Sequence, residues 1–235
     1  IDRIRKTCSA RNTSSCHMVL AGLLEESGDR KGALEQIRTA IAMDPGRNAY
    51  YHALAQYYTR NNMLKNALDE YVSILNKHPE DLAAASMIAL LQQNSGDEEA
   101  ARKTYAYILK KDPHHALAAN NMAWLLAKKG SSRDLDEALK LAQVAKDTYP
   151  EDPRVADTLG YVYLRKGLHE NALGQFQMAL EKLADEPTIL YHKALALEGL
   201  KRDAEALAAV TKALGTSKPF PEKREAEALQ GRLRK

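Results

Sequence analysis

Apolar positions recur along this chain at two nested periods. Over short stretches they fall three and four residues apart, as in Leu20-Ala21 with Leu24 and Leu54-Ala55 with Tyr58. That is the one-sided stripe of an amphipathic helix. Over long stretches the same small residues return. Ala33, Ala67, Ala101, Ala138, Ala172 and Ala206 are spaced 34, 34, 37, 34 and 34 residues apart. Ala21, Ala55, Ala89, Ala123, Gly160 and Ala194 are spaced 34, 34, 34, 37 and 34. Pro45, Pro79 and Pro113 follow the same 34-residue step, and Pro150 comes 37 later. The two small-residue series take their long step at different places, which puts three extra residues between Ala123 and Ala138. The segment there is polar, and the spacing predicts a longer turn over Lys129 to Asp134.

Each period therefore reads as two helices and two breaks. The first break is carried by Ser27-Gly28, Asn61-Asn62, Ser95-Gly96, Gly130 and Lys166-Gly167, residues suited to the left-handed conformation that ends a helix. The second is the proline, which has no N–H to donate and clashes with the preceding turn. The small residues mark close helix crossings, where a methyl or a hydrogen fits and a larger group does not. The expected architecture is all-α. Six units occupy 14–47, 48–81, 82–115, 116–152, 153–186 and 187–220. Residues 1–13 read as the end of a truncated preceding helix, and residues 221–235 as a capping helix with Ala226, Leu229 and Leu233 on one side.

The pattern resembles the tetratricopeptide-repeat (TPR) family, whose 34-residue unit is a helix–turn–helix. Residues 153–186 carry the resemblance best, with Leu159-Gly160, Tyr163, Ala172, Phe176 and Ala179. The runs Asn121–Leu126 and Asp157–Tyr161 are similar to bacterial TPR proteins of envelope and exopolysaccharide-export systems, including those of exosortase loci. The resemblance implies a right-handed α–α superhelix whose first helices line a concave groove. It also implies a non-catalytic scaffold that binds a peptide segment or partner protein there. By analogy the groove residues are Asn120, Trp124 and Lys128, then Arg154, Asp157, Tyr161 and Arg165, then Tyr191. Aromatic groups beside arginines form the usual composition of a binding hot spot. The cations among them point to an acidic or carboxylate-bearing segment. The alternatives are a targeting or regulatory arm of a larger enzyme or export complex, and a module that self-associates through its groove or ends.

Composition narrows the classes. With 45% hydrophobic and 28% charged residues the chain can bury a core, unlike a disordered segment. A net charge of +3 gives no dense basic stripe for nucleic acid. No apolar run approaches the roughly 20 residues of a membrane span. The chain starts at Ile1 without an initiator Met and reads as a piece of a longer protein, from either the cytoplasm or a periplasm-facing domain. His114-His115 point to different sides and do not read as a metal pair. No phosphate loop, nucleophile setting or cofactor motif is recognisable, so neither an enzyme nor a cofactor is expected. Cys8 and Cys16 read as two small side chains near a frayed end, in preference to a disulfide.

Overall fold

The computed structural model describes residues 1–234, apart from the side chains of Asp2, Arg5, residues 9–11 and Lys129. Lys235, the last residue of the expected capping helix, lies outside them. Every regular element among the described residues is an α-helix. They run α1 (Asp2–Arg11), α2 (Ser14–Glu26), α3 (Arg30–Met43), α4 (Asn48–Arg60), α5 (Leu64–Lys77), α6 (Leu82–Asn94) and α7 (Glu98–Lys111). They continue α8 (Ala116–Lys129), α9 (Ser132–Thr148), α10 (Pro153–Arg165), α11 (His169–Lys182), α12 (Pro187–Gly199), α13 (Asp203–Gly215) and α14 (Lys223–Leu233). The chain divides into an amino-terminal half, Ile1–Thr104, and a carboxy-terminal half, Tyr105–Lys235.

In the amino-terminal half, α2 packs on α3 and α4 on α5, and α3 and α5 each carry the next first helix, α4 and α6. In the carboxy-terminal half, the pairs α8·α9, α10·α11 and α12·α13 are joined in the same way, with α14 closing on α13. The recurring small residues sit where the pattern put them. Ala33, Ala67, Ala101, Ala138, Ala172 and Ala206 are all fully buried. Larger groups fill the space beside them: Tyr71 and Ile74 in one half, Phe176, Leu197 and Val210 in the other.

Local chemistry sets the helix ends. The side chains of Asp29, Asp81 and Asp152 accept backbone N–H groups of Gly32, Ala84 and Arg154 at the starts of α3, α6 and α10, satisfying otherwise orphaned donors. Gly28, Gly96 and Gly167 take φ of 87°, 85° and 73° at the turns inside the helix pairs. Asn62 and Lys201 hold the equivalent turns at 57° and 59°.

Two expectations are corrected. The three extra residues do not lengthen a turn. Only Gly130 and Ser131 separate α8 from α9, and α9 has 17 residues where α11 has 14. The reason is a capping box: the Ser131 hydroxyl accepts from the Asp134 N–H, and the Asp134 carboxylate accepts from the Ser131 N–H at 2.7 Å. That box starts the helix early and absorbs the polar segment into it. Gly130 accordingly has φ of −72° and is not left-handed.

The second correction concerns the cysteines. Cys8 and Cys16 form a disulfide, with Sγ–Sγ 2.10 Å and Cα–Cα 5.3 Å. Asn12, at φ 42°, ends α1 and turns the chain back, so α1 packs on α2. Cys8 is 1% exposed and belongs to the core with Leu20, Leu24 and Ile37. This end of the chain is docked and not frayed.

Candidate functional site

The side chains expected to line a groove divide into a group that meets and a group that does not. Trp124 on α8 and Tyr161 on α10 hold the same place in successive helix pairs, 37 residues apart, so stacking the pairs stacks the rings. Their centroids are 4.6 Å apart with a 39° interplanar angle. Both side chains are half-buried. Behind them lies His192 on α12, 1% exposed. Its ring is 4.8 Å from Tyr161, 5.9 Å from Trp124, 5.6 Å from Phe176 and 6.1 Å from Tyr191. The His192 Nδ1 meets Asp157 Oδ1 at 2.8 Å. A carboxylate has no proton to give, so the imidazole donates from Nδ1. One Asp157 oxygen thus fixes the ring that supports Tyr161.

Asn120 lies one helical turn before Trp124. Its amide donates to Asn121 Oδ1 at 3.4 Å, while its own Oδ1 is buried without a partner. Tyr191 is buried at 8% exposure. Burial, then the carboxylates of Glu225 in α14 and Glu222 just before it, push its hydroxyl above the ordinary tyrosine value, against Arg232.

The cations sit apart from the rings. Arg154, at the start of α10, is 82% exposed in its side chain and pairs with the helix-capping Asp152 at 2.9 Å. The guanidinium holds the Asp152 carboxyl below its usual range. Arg165, at the end of α10, donates to the carbonyls of Ala127 and Lys128 in the last turn of α8, the latter at 2.7 Å. Those carbonyls lack intrahelical partners and carry the negative end of the helix dipole, so Arg165 is engaged in holding α10 to α8. Lys128 is exposed at the same end. Eleven residues of helix separate Arg154 from Arg165, about 16 Å at 1.5 Å per residue. They do not converge on one ligand group.

His192 and Phe176 were not among the expected site residues. His192 occupies the first-helix position held by Asn121 and Thr158 in the preceding pairs. Its 35-residue offset from Asp157 was the available signal, because residues of successive first helices meet at about one repeat length. In the amino-terminal half, His52, at the position of Asp157 in its own first helix, is also bonded. His52 Nε2 meets Asp81 Oδ2 at 2.7 Å, and Asn48 donates to the same oxygen at 2.8 Å.

This architecture of tandem helix pairs, first helices packed on their own second helices and on the second helices before them, defines a helical-repeat protein. The sequence profile of the tetratricopeptide repeat matches residues 86–153 and 158–221, more than half of the chain, and the chain belongs to that family. It is 25% identical over 170 residues to TPR repeat-containing protein PA4667 of Pseudomonas aeruginosa, covering 72% of this chain and 27% of that protein. It is 29% identical over 187 residues to cellulose synthase operon protein C of Pseudomonas fluorescens, covering 74% of this chain and 14% of that one. Both relatives are bacterial, the second is named for a polysaccharide system, and the chain spans only a minor part of either.

Solved structures share the fold. A tetratricopeptide repeat protein from Parabacteroides merdae superposes with a TM-score of 0.72 at 18% identity, over 94% of this chain and 85% of that one. YrrB, titled a TPR protein with an unusual peptide-binding site, gives 0.58 at 20% identity over 84% and 97%. MamA from Desulfovibrio magneticus RS-1 gives 0.60 at 20% identity over 78% and 96%.

Proposed function

We propose that this chain is a protein-binding scaffold that holds a peptide segment against the first-helix face of α8, α10 and α12. The observation that carries the reading is the Trp124–Tyr161 pair, 4.6 Å apart and half-buried, backed by a buried His192. Large aromatic faces that are rigid yet still partly open give contact area at little entropic cost, which is how interface anchors are built. Membership in the TPR family supports a role in protein–protein interaction. Asn120, Asp157 and Tyr191 complete the candidate face, with Lys128, Arg154 and Arg165 at its ends.

The relatives' much greater length supports a second reading on the same face, in which the chain is an interaction arm of a larger protein or export complex. The first reading is tested by panning displayed dodecapeptides on the protein and measuring their binding by titration calorimetry, which needs no tryptophan reporter. Selected peptides should lose about tenfold or more in affinity on Tyr161→Ala or Trp124→Ala. Peptides that bind both variants as tightly as the parent would remove this face from consideration.

A further inference from the structure

We infer that the segment held at this face carries a positively charged side chain, lysine or arginine, seated over Trp124 and Tyr161 and facing Asp157. The inference rests on the peptide-binding reading above and names the chemistry of its ligand. It begins with what the aromatic pair offers. An indole and a phenol present electron-rich faces, and cations are attracted to such faces, indole most strongly. A neutral apolar anchor would be served equally by leucines, so the rings alone leave the choice open.

The charges around the rings decide it. Asp157 spends one oxygen on His192 Nδ1, at 2.8 Å, and a carboxylate accepts from more than one donor. Glu222 and Glu225 reach the adjoining Tyr191 with their fields, and Glu222 Oε2 is buried without a hydrogen-bond partner. Asn120 Oδ1 is a second buried acceptor without a donor. Against these acceptors three of the nearby cations are already engaged. Arg232 is bonded to Glu198 at 3.0 Å. Arg165 is bonded to the carbonyls that end α8, and Arg154 to Asp152. Among the residues assigned to this face, the cations Lys128, Arg154 and Arg165 lie at its ends, and the charge between them is the Asp157 carboxylate. The chain as a whole is +3, so a cationic peptide is not drawn to it indiscriminately. Attraction would be confined to the place where carboxylates and rings coincide.

The test uses the oxidised protein and four capped decapeptides without aromatic residues, alternating Ala with Lys, Glu or Ser, or Ser with Leu. Trp124 emission reports binding at the site. The Lys peptide should bind at least about tenfold more tightly than the Glu or Ser peptides. It should weaken when salt rises from about 50 to about 200 mM. Asp157→Asn keeps an acceptor for His192 while removing the charge, and should weaken the Lys peptide about tenfold. Glu222→Gln with Glu225→Gln lies outside the first helices and should weaken it independently, which covers the case in which Asp157→Asn fails to fold. The inference is overturned if the Glu peptide binds as well as the Lys peptide, or if both charge-removing variants bind the Lys peptide unchanged. Should only the Leu peptide move Trp124 emission, the peptide-binding reading survives and the cationic ligand does not. Should none of the four bind, both fail.

Discussion

Gly160 allows the packing argument to be put at risk with a single methyl group. It lies in α10 where that helix crosses α11, and a Cβ built there would stand 2.6 Å from Phe176 Cε1 and 2.8 Å from Cδ1. Ordinary carbon–carbon contact is about 3.5–4.0 Å, so the ring would have to retreat by about 1 Å. Phe176 is fully buried, and its ring centroid is 5.6 Å from that of His192, so any shift must be taken up by packed neighbours. Overpacking of this kind costs about 1–3 kcal/mol. Working against it, alanine in a helix interior is favoured over glycine by about 1 kcal/mol. Gly174, in the partner helix α11, supplies the control, because a Cβ there meets nothing within 4 Å. Gly174→Ala should gain about 0.5–1 kcal/mol in urea melts followed by circular dichroism. Gly160→Ala should fall below that variant by about 1–3 kcal/mol, the difference being the clash itself. Adding Phe176→Leu should shrink that difference, since contacting residues are not additive. If Gly160→Ala melts at the same urea concentration as Gly174→Ala, the close-crossing explanation of the repeat is wrong.

Three other measurements bear on the structure. Reducing the Cys8–Cys16 disulfide releases a constraint on an eight-residue separation, and the chain-entropy relation sets its worth at about 2.5 kcal/mol; a dithiol reductant should lower amino-terminal stability in the parent but not in Cys8→Ser/Cys16→Ser, and equal melts of the parent in both states would contradict it. Tyr105 is fully buried, and burial, against a hydrogen bond with Asn121, pushes its hydroxyl up to about 12. Its stabilising contribution is present below the unfolded tyrosine pKa of about 10 and is lost as pH climbs toward 12, about 3 kcal/mol in all; Tyr105→Phe should flatten stability across that alkaline window. Lys201 sits at φ 59° where Gly28, Gly96 and Gly167 hold equivalent turns. Lys201→Gly should therefore stabilise by about 0.5–1 kcal/mol, and a measured loss would show that the lysine side chain compensates the backbone cost.

The fold was legible because its determinants are small residues at fixed phase. A close crossing admits only Ala or Gly, and nothing at a distance can substitute for that requirement. Ala33, Ala67, Ala101 and their successors could therefore be read from spacing alone. Features set by local competition were less legible. The polar run after α8 looked like a loop, yet Ser131 and Asp134 satisfy each other's backbone donors and make it a helix start. Spacing of eight said nothing about whether Cys8 and Cys16 meet, because that depends on the left-handed Asn12 between two helices.

The candidate site was half legible for a related reason. Periodicity assigns a residue to a face of its helix but not to a use, and long cations at helix ends have an alternative use in a stacked array. Arg60, near the end of α4, reaches back to Glu25 near the end of α2 at 2.7 Å. Arg232 on α14 reaches back to Glu198 near the end of α12 at 3.0 Å. Arg165 does the same from α10 to α8, where the acceptors are backbone carbonyls instead of a carboxylate. The offsets of 35, 34 and about 37 residues are one repeat each, so this is a lacing device between successive first helices. Sequence spacing could have exposed it for Arg60 and Arg232, whose acceptors are side chains, but not for Arg165, whose acceptor is the peptide backbone. Once Arg165 is assigned to the lacing, one of the three cations that suggested an acidic ligand is already bound by backbone carbonyls. What remains between the helix ends is the Trp124–Tyr161 pair with the Asp157 carboxylate that holds His192, and the proposal of a cationic ligand rests on that remainder.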